Sequence, residues 1–118
     1  MTKHSIPVQA AIVHTLIAKR PLLGTLPVDW QLQQKYGITV TSSWGAAPDV
    51  VVQIAQEVAR ALRGVTVEVS HDKVMTASGR PYRSHRVDGR QSGVPVYYNG
   101  VEYLDGHGDE VVEGGETA

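Results

Sequence analysis

The chain has 118 residues and a formal net charge of −1, with 18 valines, no phenylalanine and no cysteine. This length predicts one domain with one core, and the lack of cysteine excludes disulfides, thiolate metal ligands and cysteine nucleophiles. No stretch approaches the ~18 consecutive apolar residues of a membrane span, and no signal peptide is recognisable, so a cytoplasmic protein is expected. Valine is β-branched and favours strands, which predicts a large share of sheet.

The first third of the chain predicts a helix followed by a β-hairpin. Ser5 is a suitable N-cap residue, and Pro21 ends the helix. Apolar residues at spacings of three and four predict one buried helix face: Ile6, Ala10, Val13, Leu16 and Ile17. Apolar and polar residues then alternate over 28–33 and over 38–41, which predicts two strands of a hairpin.

A second amphipathic helix is predicted after the hairpin. Pro48 and Asp49 are favoured in a first helical turn, and Gly64 suits the position just after the last turn. The apolar residues fall on one face of this helix: Val51, Ile54, Val58, Ala61 and Leu62.

The remaining sequence predicts further strands. Three of them are expected over 65–69, 74–77 and 81–87, and a loop over 88–93. Asn99 and Gly100 lie between two β-prone runs, and this pair is the strongest local signal for a two-residue type I′ turn. A last hairpin is therefore expected between 94–98 and 101–104.

Together these elements predict an α+β fold with the order α-β-β-α-β-β-β-β-β. Two amphipathic helices should pack on one face of a mainly antiparallel sheet. Residues 1–105 form the single predicted domain, and residues 106–118 form an acidic, mostly disordered tail. The expected core follows from the face periodicity: Val13, Ile17, Trp30, Leu32, Val40, Val51, Ile54, Val58, Leu62, Val67, Val96 and Tyr98.

Charge is distributed unevenly along the C-terminal half. Residues 73–90 hold five lysines and arginines against one acid, whereas residues 102–116 hold six acids and no lysine or arginine. The basic segment 80–90 carries arginines on both faces of its predicted strand. Because burying them would be costly, we expect this strand at a sheet edge or in a ribbon that leaves the sheet.

Three interpretations of the basic segment remain open. It is a ribbon that contacts phosphates, a charged edge that prevents aggregation, or a surface covered by the acidic tail. Tyr82 is available for stacking in the first case. The candidate partner-binding residues are Arg80, Tyr82, Arg83, His85, Arg86, Arg90 and Tyr97.

Signals for catalysis are weak. His71 and Asp72, with His85, suggest a small metal-dependent or hydrolytic enzyme, but a turn explains the first two better. Further metal ligands at suitable spacing are missing, and neither a P-loop nor a Gly-x-Ser-x-Gly motif occurs. No metal site and no cofactor are therefore expected.

The leading hypothesis is a small non-enzymatic binding or assembly protein that acts through the basic strand. Its expected partner is nucleic acid or an acidic protein surface, and a homo-oligomer formed through a sheet edge is a further expectation. A structural subunit of a phage or another assembly is the alternative, since the Val/Ala/Gly/Arg-rich composition is typical of short proteins of high-GC bacteria and their phages. The motifs identify no family.

Overall fold

The computed structural model describes residues 4–43 and 45–106. Two α-helices, a short 3₁₀ turn and six strands follow in an order close to the predicted one. They are α1 (Ile6–Lys19), the 3₁₀ turn (Pro21–Gly24), β1 (Val28–Gln33), β2 (Gly37–Ser42), α2 (Pro48–Ala61), β3 (Glu68–Val69), β4 (Lys73–Val74), β5 (Pro81–Gln91) and β6 (Val94–Tyr103). This is an α+β fold, as predicted. Apart from Gly106, the predicted acidic tail lies outside the described residues.

The six strands form one mixed sheet. Its order is β1-β2-β6-β5-β3, and β4 also pairs with β5. The β2–β6 pair is parallel, and the other pairs are antiparallel. A parallel pair needs a long connection, which here contains α2 and three strands. Neither helix of the described segments is long and apolar enough to cross a membrane.

The hairpin predicted at Asn99 and Gly100 is wrong. Strand β6 runs straight through both residues, and they pair with Arg86 and His85 of β5. The tight turn lies instead at 92–93, where both φ angles are positive (53° and 81°), as a type I′ turn requires. The predicted loop over 88–93 is therefore strand β5 up to Gln91. The long β5–β6 register outweighs the local turn preference of the Asn-Gly pair.

Gly100 is required for packing. A Cβ atom at this position would collide with the Tyr98 hydroxyl group and would lie 2.6 Å from Val51 Cγ1 of α2. The Tyr98 hydroxyl group donates a hydrogen bond to the Val51 carbonyl oxygen at 3.1 Å. The missing side chain therefore lets α2 approach the sheet closely.

The buried face of α1 differs from the predicted one. Gln9, Ile12 and Leu16 are buried, whereas Ala10 is exposed. The glutamine side chain is buried because it forms hydrogen bonds with the backbone of Gln33 in β1. A polar residue that is buried in this way gives no signal in an analysis of apolar spacing.

The core lies between the helices and the sheet. Seven of the predicted core residues are buried: Val40, Val51, Ile54, Val58, Leu62, Val96 and Tyr98. The other five are half-buried against this core: Val13, Ile17, Trp30, Leu32 and Val67. Other residues complete the core, among them Leu23, Ile38 and Val87.

Strand β5 is a central strand, so its predicted position at an edge or in a free ribbon is wrong. It pairs with β6 on one side and with β3 and β4 on the other. Strands β3 and β4 are two residues each, shorter than the predicted 65–69 and 74–77. A central position is tolerated because His85 and Val87 are the buried residues of β5, while Arg83 and Arg86 stay partly exposed.

Candidate functional site

One face of the sheet is not covered by the described helices. On the other face, α2 packs on β5 and β6 and buries Val87, Val96 and Tyr98. Successive strand residues point to opposite faces, so the residues between these point away from the helices. They are Tyr82, Ser84, Arg86, Asp88 and Arg90 of β5 and Pro95, Tyr97, Asn99, Val101 and Tyr103 of β6. Aromatic and polar side chains dominate this open face.

An open groove of about 440 Å³ lies on this face, beside the two shortest strands. Its lining residues come from β3, β4, β5, β6 and the segment between β3 and β4: Glu68, Val69, Ser70, Lys73, Ser84, Arg86, Tyr97 and Asn99. We call this surface the groove. Its volume falls within the range of small-molecule sites.

The wall of the groove is held by hydrogen bonds between Ser70 and Ser84. The Ser70 N–H group donates to the Ser84 carbonyl oxygen at 3.0 Å, and the Ser84 N–H group donates to Ser70 Oγ at 2.9 Å. These bonds continue the β3–β5 pairing one residue beyond the short strand. As a result, the chain between β3 and β4 stays attached to β5 where the groove opens.

The side chains of Lys73 and Asn99 line the groove without a partner in the described part of the chain. No hydrogen bond or ion pair engages the Lys73 ammonium group or the Asn99 side-chain amide among residues 4–43 and 45–106. Tyr97, which also lines the groove, is 36% exposed. A free cation, a free amide and an exposed ring therefore converge on one surface.

Arg86 also lines the groove, and it has a partner. Its guanidinium group forms an exposed ion pair with Glu68, with Nε 3.1 Å from Oε1. The hydrogen bond that Arg86 donates to Glu68 raises the pKa of Arg86, with the negative charge of the carboxylate as the second cause. One acid thus offsets one of the two cations at the groove.

The other arginines of the basic segment are also engaged within the chain. Arg83 Nε lies 2.6 Å from Asp72 Oδ1, and this hydrogen bond raises the pKa of Arg83. Arg80 Nε lies 2.9 Å from Asp105 Oδ2, and its guanidinium group stacks 3.7 Å above the Tyr103 ring. Acids distant in sequence therefore neutralise much of the charge that the basic segment carries.

Arg90 lies outside the groove. Its Nη1 group donates to the Gly93 carbonyl oxygen at 2.9 Å, within the turn after β5. Tyr82 is half-buried on the open face, where its backbone pairs with that of Lys73. Of the seven predicted partner-binding residues, only Arg86 and Tyr97 line the groove.

His85 lies on the helix-covered face, away from the groove. It is buried, and its Nε2 atom lies 2.8 Å from Glu102 Oε1. Arg83 Nη1 is 3.9 Å from the same carboxylate oxygen. His85 Nε2 donates to Glu102 in this contact when it carries the ring proton.

The residues of the enzyme hypothesis are only partly brought together. Asp72 pairs with Arg83, and Arg83 approaches Glu102, the partner of His85. The His71 ring has no hydrogen bond or ion pair within the described segments. Among the same residues, no three His, Asp or Glu side chains are grouped so that they could hold a metal ion. The arrangement supplies a histidine–carboxylate pair, His85 with Glu102.

A second open cleft lies at the end of β6, against the first turn of α2. It has a volume of about 380 Å³ and is lined by Pro48, Asp49, Glu102, Tyr103, Leu104 and Gly106. Its two charged side chains, Asp49 and Glu102, are both acids. It therefore differs in charge from the groove.

Sequence reasoning missed most of the groove. Lys73 lies outside the basic segment 80–90 and is not among the predicted partner-binding residues, and Asn99 is predicted to lie in a turn. Glu68, Ser70 and Ser84 carry no motif that distinguishes them. The sequence does predict two of the lining residues, Arg86 and Tyr97, as partner-binding candidates.

Comparison with known proteins yields no relative for this chain. No protein-family model matches it. No curated protein and no solved structure is significantly similar to it either.

Proposed function

We propose that the chain is a small non-enzymatic binding protein that holds an extended, acidic peptide segment of a partner protein in the groove. The observation that supports this most is the convergence of the unpartnered Lys73 and Asn99 side chains beside the exposed Tyr97 ring. Each of the three groups meets a different need of a peptide ligand.

The three groups recognise an acidic peptide by different contacts. Lys73 carries three donors and a full charge, which suits a carboxylate. The Asn99 amide both donates and accepts, so it can bond to the N–H and C=O groups of a peptide backbone. The Tyr97 ring offers apolar area at low conformational cost, as tyrosines do in many protein interfaces.

Arg86 can join these contacts because its present ion pair is exposed. The side chains of Arg86 and Glu68 are 51% and 66% exposed. Exposed ion pairs contribute little to stability, so exchanging one carboxylate for another is inexpensive. A ligand carboxylate can therefore replace Glu68 at the guanidinium group.

A nucleic-acid partner has less support. Proteins that bind nucleic acid present a basic surface, whereas this chain has a net charge of −1. Carboxylates of the same chain neutralise Arg80, Arg83 and Arg86. The acidic peptide is favoured because it needs only one or two cations.

A fluorescence titration of the full chain tests the proposal. The probes are a labelled peptide of alternating Glu and Val, a Lys/Val peptide of equal length, and labelled single-stranded DNA and RNA. Each probe is titrated at low and at high salt. We expect the Glu/Val peptide to bind at low salt, more weakly at high salt, and more tightly than the other probes.

Two lysine variants locate the site. Lys73→Glu should weaken binding of the Glu/Val peptide at least about fivefold, which corresponds to about 1 kcal/mol. Lys35→Glu makes the same charge change in the exposed turn after β1, and it should leave the affinity unchanged. Tighter binding of DNA or RNA than of the peptide would instead favour the nucleic-acid alternative, and equal losses in both variants would contradict a site at the groove.

A further inference from the structure

We propose that the acidic C-terminal segment of the same chain, residues 107–118, occupies the groove and competes with the partner segment. This inference rests on the proposed function, because it assumes that the groove holds acidic peptides. The segment contains Asp109, Glu110, Glu113 and Glu116, and it has no lysine or arginine. It is therefore a ligand of the required chemistry, covalently joined to its site.

The last described residues bring the chain close to the groove. The Leu104 N–H group donates to the Pro81 carbonyl oxygen at 2.8 Å. Pro81 in turn pairs with Val74 of β4, whose other residue is Lys73. At this level β5 lies between the end of β6 and β4, so the last described residues lie one strand away from the strand that supplies the free ammonium group.

The segment is long enough to reach across the groove. Lys73 pairs with Tyr82 of β5, and Tyr97 pairs with Asp88 of the same strand. Tyr82 and Asp88 are six residues apart along β5. At about 3.3 Å per residue this is about 20 Å. Residues 107–118 can span about 40 Å when extended.

The order of the residues also suits the groove. Residues 109–113 read Asp-Glu-Val-Val-Glu. Because side chains of an extended segment alternate, either side of this stretch presents at least one carboxylate and one valine. The segment as a whole therefore offers carboxylates for Lys73 and valines for the Tyr97 ring.

Covalent attachment favours the chain's own segment over a second copy. A segment tethered by a short linker has an effective concentration in the millimolar range. Even if the groove has a low affinity for acidic peptides, the segment of the same molecule would then occupy it most of the time. A partner peptide must displace the segment. Only a partner that binds the groove tightly enough to compete with the segment can therefore form a complex.

The test compares two full-length variants that each neutralise two acids. Glu110→Gln with Glu113→Gln changes the segment, and Asp29→Asn with Asp49→Asn changes two exposed acids elsewhere. For each, backbone amide signals of Lys73, Tyr97 and Asn99 are recorded by NMR at several protein concentrations, and the labelled Glu/Val peptide is titrated. Thermal melting confirms that each variant is folded.

We expect the segment variant to shift these amide signals and to bind the peptide at least about threefold more tightly than the control variant does. The shifts should not depend on protein concentration. Unchanged signals with equal peptide affinity would overturn the inference and leave the proposed function standing. Shifted signals without any peptide binding would support the inference and contradict the proposed partner. Shifts that depend on concentration would overturn docking within one molecule.

Discussion

The side-chain amide of Gln9 bonds to the backbone of Gln33 as a neighbouring strand would. Gln9 Nε2 donates to the Gln33 carbonyl oxygen at 2.9 Å, and the Gln33 N–H group donates to Gln9 Oε1 at 3.1 Å. The same Nε2 group also donates to the His4 carbonyl oxygen at 2.9 Å. One fully buried side chain of α1 therefore closes part of the edge of β1 and fastens the helix to the sheet.

Replacing Gln9 by leucine should destabilise the protein. Gln9→Leu keeps a similar volume but leaves the backbone groups of Gln33 without their partner, which should cost about 1–3 kcal/mol in urea unfolding. The matched control is Gln56→Leu at an exposed position of α2, which should change the unfolding free energy by less than about 0.5 kcal/mol. Equal stability of the two variants would show that the Gln9 hydrogen bonds contribute nothing.

Gly100→Ala should destabilise the protein although Gly100 lies within a regular strand. The new Cβ atom must displace the Tyr98 hydroxyl group or push α2 away at Val51, with a loss on the order of 1–3 kcal/mol. Asn99→Ala is the control, because Asn99 is the adjacent residue of β6 and its side chain is exposed. If calorimetry gave both variants the same melting temperature, the close approach of α2 to Gly100 would be refuted.

Val58→Ala tests the packing of α2 on the sheet. Val58 is buried in the core, and shortening it removes apolar contact and leaves a cavity, at a cost of about 1–3 kcal/mol. Val8→Ala makes the same chemical change at an exposed position of α1 and should be nearly neutral. A neutral Val58→Ala in urea unfolding would mean that the buried face of α2 is wrong.

Glu57 should make stability depend on pH in the acidic range. Its pKa is lowered chiefly by the hydrogen bond from Arg20, with further help from Arg60, while burial acts in the opposite direction. A lowered native pKa adds stability above the unfolded pKa of about 4.3, and this contribution is lost as the pH falls through the native pKa. Wild type should therefore exceed Glu57→Gln in melting temperature at pH 7, and the difference should shrink below about pH 4. A difference that stays constant with pH would contradict the ion pair.

Apolar periodicity predicted the elements whose burial is apolar. Helix α2 and the hairpin of β1 and β2 agree with it because their buried residues recur at the helix or strand period. The periodicity does not predict the burial of Gln9, because this burial depends on hydrogen bonds to a strand residue twenty-four positions later in the chain. Gly100 was misassigned because a glycine needed for close packing and one needed for a turn have the same local sequence.

The groove could not be predicted because it depends on register. Glu68 meets Arg86, and Lys73 comes to the level of Tyr82, only through the pairing of short strands with β5. Likewise, the acids that neutralise the arginines of the basic segment lie between eleven and twenty-five residues away from them in sequence. The distribution of charge along the sequence therefore identifies the basic segment, but it does not show that acids of the same chain pair with three of its arginines.

The contact between a bound acidic peptide and the Tyr97 ring is the most direct test of a peptide-binding groove. The full chain with Glu110→Gln and Glu113→Gln is saturated with the unlabelled Glu/Val peptide, and isotope-edited nuclear Overhauser effects are measured from the valine methyl groups. We predict cross-peaks from these methyl groups to the Tyr97 ring and to the side chain of Asn99. Cross-peaks confined to the second cleft, at Pro48 and Leu104, would contradict the groove as the binding site.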